Sequence, residues 1–219
     1  VSLRMNDHHY HNDFSRVSPL LFNHPELRTN KGHGLFNYAR PEVREHYLKL
    51  ITEVLQRYDL DGIELDWIRT PNNFEEAELD RGREILTAFV RDARRQTQAA
   101  ALRLGHPVRL AVRVPSTPSF AWGKGFDAVA WAQEGLVDMI IPSDWWSGYN
   151  DTPVEVWREQ IGPKGKGCLI VPGTASTYSC IPKGPQMDRS LAGMRGFSAS
   201  MFDRGADGIY LFNHFDAVK

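Results

Sequence analysis

The run Asp61-Gly62-Ile63-Glu64-Leu65-Asp66-Trp67 alternates apolar and acidic residues. On a β-strand that period puts Ile63, Leu65 and Trp67 on one face and Glu64 and Asp66 on the other. Two further runs divide in the same way. In Val1–Asn6 the apolar set is Val1, Leu3 and Met5, and the polar set is Ser2, Arg4 and Asn6. In Val108–Val114 the apolar set is Val108, Leu110, Val112 and Val114, with Arg113 opposite them. Carboxylates and guanidiniums on three inward faces would meet in one space, where each buried charge needs a partner. The same residues also suit a purely structural ion-pair network. Position favours chemistry: in barrel-type α/β folds, polar residues at the carboxyl ends of strands make the active site, and stabilising residues sit at the other end.

Other residues could join them. Asp144 precedes Trp145 and Trp146, with Tyr149 close behind and Trp122 upstream, all in segments that follow strands. Their aromatic faces could stack on a flat ligand such as a sugar ring. Asn213 and His214 lie at the end of the last strand-like run and are rim candidates. The run Asp7-His8-His9-Tyr10-His11-Asn12-Asp13 follows the first strand. Its His9-x-His11 spacing resembles the metal pair of amidohydrolase-type barrels. Those barrels need further histidines at later strand ends, where this chain carries Arg113 and Asp144. A polar loop lining a substrate accounts for Asp7, His9 and His11 without a metal, so none is expected, nor any cofactor.

The elements that must position these groups alternate. Strand-like runs are Val1–Asn6, Gly62–Trp67, Val108–Val114, Val137–Pro142, Cys168–Pro172 and Gly208–Phe212. Helical periodicity marks Pro41–Tyr58, where Val43, Tyr47, Leu50, Ile51, Val54 and Tyr58 share a face and Pro41 suits a first turn. Glu75–Leu104 carries the stripe Ile85, Leu86, Phe89, Val90 and Ala93. Shorter helices are expected at Phe126–Glu134, Val154–Gln160 and Asp188–Arg204. Such alternation predicts a parallel sheet with helices outside it. Asp61-Gly62-Ile63-Glu64-Leu65 is echoed by Asp207-Gly208-Ile209-Tyr210-Leu211, each directly after a helix. The expected class is therefore α/β, a TIM-type (β/α)8 barrel of one domain over residues 1–219. Six strands fall short of eight. Val1–Asn6 starts in mid-strand, so the first two βα units are expected to be missing, with open edges that invite self-association or completion by an N-terminal segment. The alternative is that Gly32–Tyr38 and another loop hide strands.

Composition narrows the partners. The 219 residues hold 26 Lys+Arg against 27 Asp+Glu, a formal charge of −1, which argues against nucleic acid. No stretch approaches 18 consecutive apolar residues, so no membrane span is expected. Two cysteines, Cys168 and Cys180, form neither a metal motif nor a disulfide framework.

The segment Asp61 to Arg69 resembles the fourth strand of glycoside-hydrolase barrels, several of which carry Asp-Gly-Ile-x-Leu-Asp-aromatic-x-Arg there. Val1-Ser2-Leu3-Arg4-Met5-Asn6-Asp7 and Arg113-Val114-Pro115 resemble bacterial family-10-like glycosyl hydrolases. Asp207-Gly208-Ile209-Tyr210-Leu211-Phe212-Asn213 is similar to their eighth strand. The resemblance makes these six strands the third to the eighth. It departs from the large retaining clan at Cys168-Leu169-Ile170-Val171-Pro172-Gly173-Thr174, where that clan's nucleophile strand would stand: there is no carboxylate. The placement of acids is closer to α-galactosidase-like barrels, with an Asp nucleophile after strand four and an Asp acid/base after strand six. Asp66 and Asp144 stand at those positions.

What the resemblance implies is a glycosidase acting on a galactoside or glucoside through two carboxyl groups. Asp66 would be the charged nucleophile or stabiliser of positive charge. Asp144, partly desolvated beside Trp145 and Trp146, would be the general acid. Glu64 would orient Asp66 or bind a sugar hydroxyl. Arg4, Asn6, Asp7, His9, His11, Arg69, Arg113, Trp145, Trp146, Asn213 and His214 are the expected substrate contacts. Two other readings remain: a metal-dependent hydrolase using His9, His11 and Asp66, and a non-catalytic glycan-binding subunit.

Overall fold

The computed structural model describes residues 1–6, 18–29, 35–68, 70–144, 151–175 and 191–212. Its strands are β1 (Ser2–Arg4), β2 (Gly62–Asp66), β3 (Arg109–Pro115), β4 (Met139–Ser143), β5 (Leu169–Ile170), β6 (Gly173–Ala175) and β7 (Tyr210–Phe212). Its helices are α1 (Pro19–Asn23), α2 (Pro41–Arg57), α3 (Leu79–Leu104), α4 (Pro118–Gly123), α5 (Ala128–Gln133), α6 (Val154–Ile161) and α7 (Leu191–Asp203). Every pairing in the sheet is parallel, in the order β1-β2-β3-β4-β6-β7, and β5 also pairs with β4. The sheet curls until Tyr210 of the last strand reaches Glu64 of the second. This is a half-barrel of the (β/α)8 kind with its helices outside.

The expected single strand Cys168–Pro172 is corrected to two short segments that run on to Ala175. Ile140 pairs with Ile170 and Ser143 with Gly173, so β5 and β6 keep one register across the break. Pro172 has no N–H to donate to the ladder. The chain bridges it by hydrogen bonds from Val171 N to Ile140 O and from Tyr210 N to Pro172 O. Gly32–Tyr38 adds no strand to the sheet among its described residues; Phe36 forms only an isolated antiparallel bridge with Arg28.

The helices follow their periodicity. Pro41 opens α2, which buries Val43, Tyr47, Ile51 and Leu55, an i, i+4 stripe. Leu50 and Tyr58, expected on that face, are exposed. A capping box of Glu75 and Glu78 starts a 3-10 turn that leads into α3, which buries Leu86, Phe89, Val90 and Ala93. Asp127 accepts from Ala130 N and so starts α5 two residues later than Phe126. The short helices α1 and α4 had no counterpart in the sequence reading, being too short to show a period. Ile63, Leu65 and Trp67 face α2 and α3 and lie in one buried core with their stripes. Trp67 packs edge-on to Tyr38 at 4.9 Å between ring centroids and to Phe89 at 6.0 Å.

Two carboxylates brace the amino ends of the strands. Asp138 accepts from Leu110 N at 2.8 Å and from Arg94 at 2.6 Å. Asp207 accepts from Ile170 N at 2.7 Å and pairs with Arg158. The opposite rim is left for other work.

Candidate functional site

Period two in β2 turns Glu64 and Asp66 toward the concave face, and strand register decides what flanks them. Arg4 of β1, Asp66 of β2 and Arg113 of β3 share one rung. Cation, anion and cation therefore stand side by side across three adjacent strands. Arg4 Nε lies 3.0 Å from Asp66 Oδ2. Arg113 Nη1 lies 3.3 Å from both Asp66 oxygens, and its Nε donates to Ser143 Oγ on β4 at 3.1 Å. Asp66 Oδ1 also accepts from Ile68 N at 3.0 Å. The Asp66 side chain is 2% exposed and that of Arg113 1%, while Arg4 keeps 30%.

The last strand completes the cluster from the far side. The Arg113 guanidinium sits 3.8 Å from the Phe212 ring centroid and 5.5 Å from that of Tyr210, and Arg4 is 5.7 Å from Phe212. These rings give the guanidiniums a polarisable wall in place of water. The Tyr210 hydroxyl donates to Glu64 Oε1 at 3.3 Å. Burial pushes the Glu64 carboxyl up, repulsion from Asp66 adds to this, and Arg113 opposes it. Burial, with the Glu64 charge, pushes the Tyr210 phenol up to about 12. Arg113 is pulled down by burial and held up by Asp66. Ser143, Tyr210 and Phe212 were not singled out in the sequence. A signal for the aromatic pair was present, because an outward Leu211 turns Tyr210 and Phe212 inward.

The other expected residues fall in different places. Asp144 follows β4 and is half-buried; burial raises its carboxyl, a hydrogen bond from Ser116 lowers it, and Asp151 raises it again. No described contact joins Asp144 to the rung. Asn6 is buried and its amide binds the chain elsewhere: Nδ2 donates to Phe36 O and Asn73 Oδ1, and Oδ1 accepts from Phe36 N. It therefore ties two loops together at the end of β1. Trp122 on α4 is 52% exposed, with the Arg83 guanidinium 3.8 Å from its ring centroid. Asp7, His9, His11, Arg69, Trp145, Trp146, Tyr149, Asn213 and His214 lie outside the described residues. Among the described residues no group of three or more His, Cys, Asp or Glu is arranged to hold a metal ion.

The rung offers a fixed, nearly dry carboxylate with one half-open guanidinium beside it. The neighbouring Glu64 carboxyl is shifted toward holding a proton, and so is that of Asp144 after β4. That combination can stabilise positive charge on a ligand atom and deliver a proton to another.

No protein-family model matches the sequence, and no curated protein matches it. Solved structures do resemble it. A glycoside hydrolase family 18 N-acetylglucosaminidase from Paenibacillus barengoltzii is similar at a TM-score of 0.53, with 13% identity, over 81% of this chain and 73% of that one. Chitinase ChiA74 from Bacillus thuringiensis gives 0.42 and 15% identity, over 64% of this chain and 26% of its own. The spore cortex-lytic enzyme SleL of Bacillus megaterium QM B1551 gives 0.45 and 15%, over 77% of this chain and 39% of its own. This chain thus spans less than half the length of the latter two. The likeness to the N-acetylglucosaminidase is one of fold: this chain has a TIM-type α/β architecture, as that enzyme does.

Proposed function

We propose that this chain is a glycoside hydrolase that cleaves its substrate at the carboxyl rim of the half-barrel, with Asp66 as the charged carboxylate. The observation that carries the reading is the Arg4–Asp66–Arg113 rung. Asp66 and Arg113 are buried, with Arg4 half-open beside them, at the strand ends that serve catalysis in this architecture, while separate ion pairs brace the opposite ends. A network needed only for stability is expected at the other end of the strands. The fold shared with an N-acetylglucosaminidase supports the same reading.

In the proposed reaction Asp66 faces the anomeric carbon as the glycosidic bond breaks and positive charge develops there. Asp144 gives its proton to the leaving oxygen; water then adds its hydroxyl to the anomeric carbon and returns its other proton to Asp144. The raised Asp144 carboxyl supports the role of acid. Arg113 acts through Asp66: its guanidinium fixes both carboxylate oxygens and rests on Ser143 and Phe212. Arg4, more open, can reach a substrate hydroxyl while keeping Asp66 paired. Glu64, held by Tyr210, orients the deeper layer. The reading with Asp66 and Asp144 follows the α-galactosidase-like placement of acids, because the run Cys168–Pro172 carries no carboxylate for the retaining clan's nucleophile.

The test is a release assay over nitrophenyl galactosides, glucosides and N-acetylglucosaminides, with wild type and Asp66→Asn side by side. Wild type is expected to turn over at least one of them, and the variant to lose more than about 100-fold in kcat. Thermal unfolding of both proteins separates lost chemistry from lost fold. Activity that survives Asp66→Asn in a folded protein ends the assignment.

A further inference from the structure

A cavity of about 340 Å3 lies at the same rim but on the helix side of the sheet. Pro71, five residues past Asp66, lies in its wall, and Thr29, Asn72, Phe74, Glu76 and Lys124 contribute to it. The Phe74 ring occupies the space that a Cβ on Gly82 or Gly125 would need, so both glycines leave room for it. Gly125 also has φ +91°, a conformation that side chains rarely adopt. An aromatic platform pinned in this way does not rearrange to fill the cavity.

The polar groups are mixed in a telling way. The Lys124 ammonium is half-buried, donates to Asn72 Oδ1 at 2.8 Å, and has no carboxylate in ion-pair range among the described residues. Glu76 brings a carboxylate to the same wall. Thr29 is 5% exposed, and its buried hydroxyl has no hydrogen-bond partner among the described residues. A ligand oxygen that reached that hydroxyl would make a bond that no described residue makes. An anionic ligand would be repelled by Glu76 and a cationic one by Lys124. A neutral ligand with several hydroxyls is repelled by neither, and can accept from Lys124 and Asn72 while donating to Glu76. The volume lies at the lower end for ligand cavities and suits a single sugar ring.

We propose that this cavity is a second saccharide site, which holds one neutral sugar unit of an oligosaccharide apart from the Asp66 centre. The choice of a sugar rests on the glycosidase reading; the cavity supplies donors and an acceptor that ligand hydroxyls can meet.

The experiment is titration calorimetry of the full chain with neutral hexasaccharides of β-linked glucose, N-acetylglucosamine and galactose, and with a uronate hexasaccharide of equal length. Wild type, Asp66→Asn, Lys124→Met and Glu76→Gln are compared, each checked by thermal unfolding. Loss of a charged hydrogen bond is expected to weaken binding about tenfold in Lys124→Met, with a smaller loss in Glu76→Gln. Asp66→Asn should still bind, with Lys124 remaining necessary. Equal binding by both rim variants, no binding of any neutral hexasaccharide by wild type, or tighter binding of the uronate overturns the proposal. Wild-type turnover of the nitrophenyl glycosides is read separately. The second site therefore stands if binding depends on Lys124 without any hydrolysis, and falls if hydrolysis occurs without that dependence.

Discussion

Asp66 is held by two arginines that do different work. Arg113 is almost wholly enclosed, so its removal would leave a buried carboxylate half-compensated, a loss of about 3–5 kcal/mol in comparable sites. Arg4 is partly open to solvent, and its contribution is correspondingly screened. Asp144 belongs to another environment, where burial favours its protonated form and the Ser116 hydroxyl favours the charged one. A general acid must be protonated to act, so the alkaline limb of kcat/KM should lie above the range of an ordinary aspartate. Ser116→Ala removes a hydrogen bond to the charged form and should move that limb to still higher pH. A pH–rate profile checks this, and a limb that stays in place would show that Asp144 is not the proton donor.

At the scale of the elements, close approach between strands decides how well the rung is supported. A Cβ built on Gly173 of β6 would overlap Ser143 Oγ, the atom that receives Arg113 Nε. Gly173→Ala should therefore cost about 1–3 kcal/mol and push Ser143 off Arg113. Urea denaturation reads the first effect, and unchanged stability would show that the strands can part without cost. These elements differed in how plainly the sequence announced them. The alternation in β2 and β3 was legible because one face is apolar throughout; with β1 it put Arg4 and Arg113 in one space with Glu64 and Asp66, and both arginines pair with Asp66. The break at Pro172 was not, since one missing N–H leaves the hydrophobic pattern intact. Nor was the commitment of Asn6 to Phe36 and Asn73, because an amide at a strand end looks the same whether it meets a ligand or a loop. Phe212 was hidden by its chemistry: an aromatic facing inward reads as core until a guanidinium is found on its face.

For the whole molecule, the described sheet is an arc rather than a closed ring. β1 pairs only with β2 and β7 only with β6 among the described residues, and side chains alone span the gap between these outer strands. The fold class was visible from the alternation of strands and helices. How tightly the ends approach was not, because curl depends on twist summed over every pairing. The Tyr210–Glu64 hydrogen bond joins residues 146 apart in the chain. Contacts so distant in sequence form late, after local helices and neighbouring strands have already recovered. In refolding, far-UV circular dichroism should return ahead of sugar binding or turnover, and simultaneous recovery would contradict this order. A chain whose β7 has not yet docked would thus own most of its helices while the Arg113 guanidinium still lacked the aromatic face of Phe212.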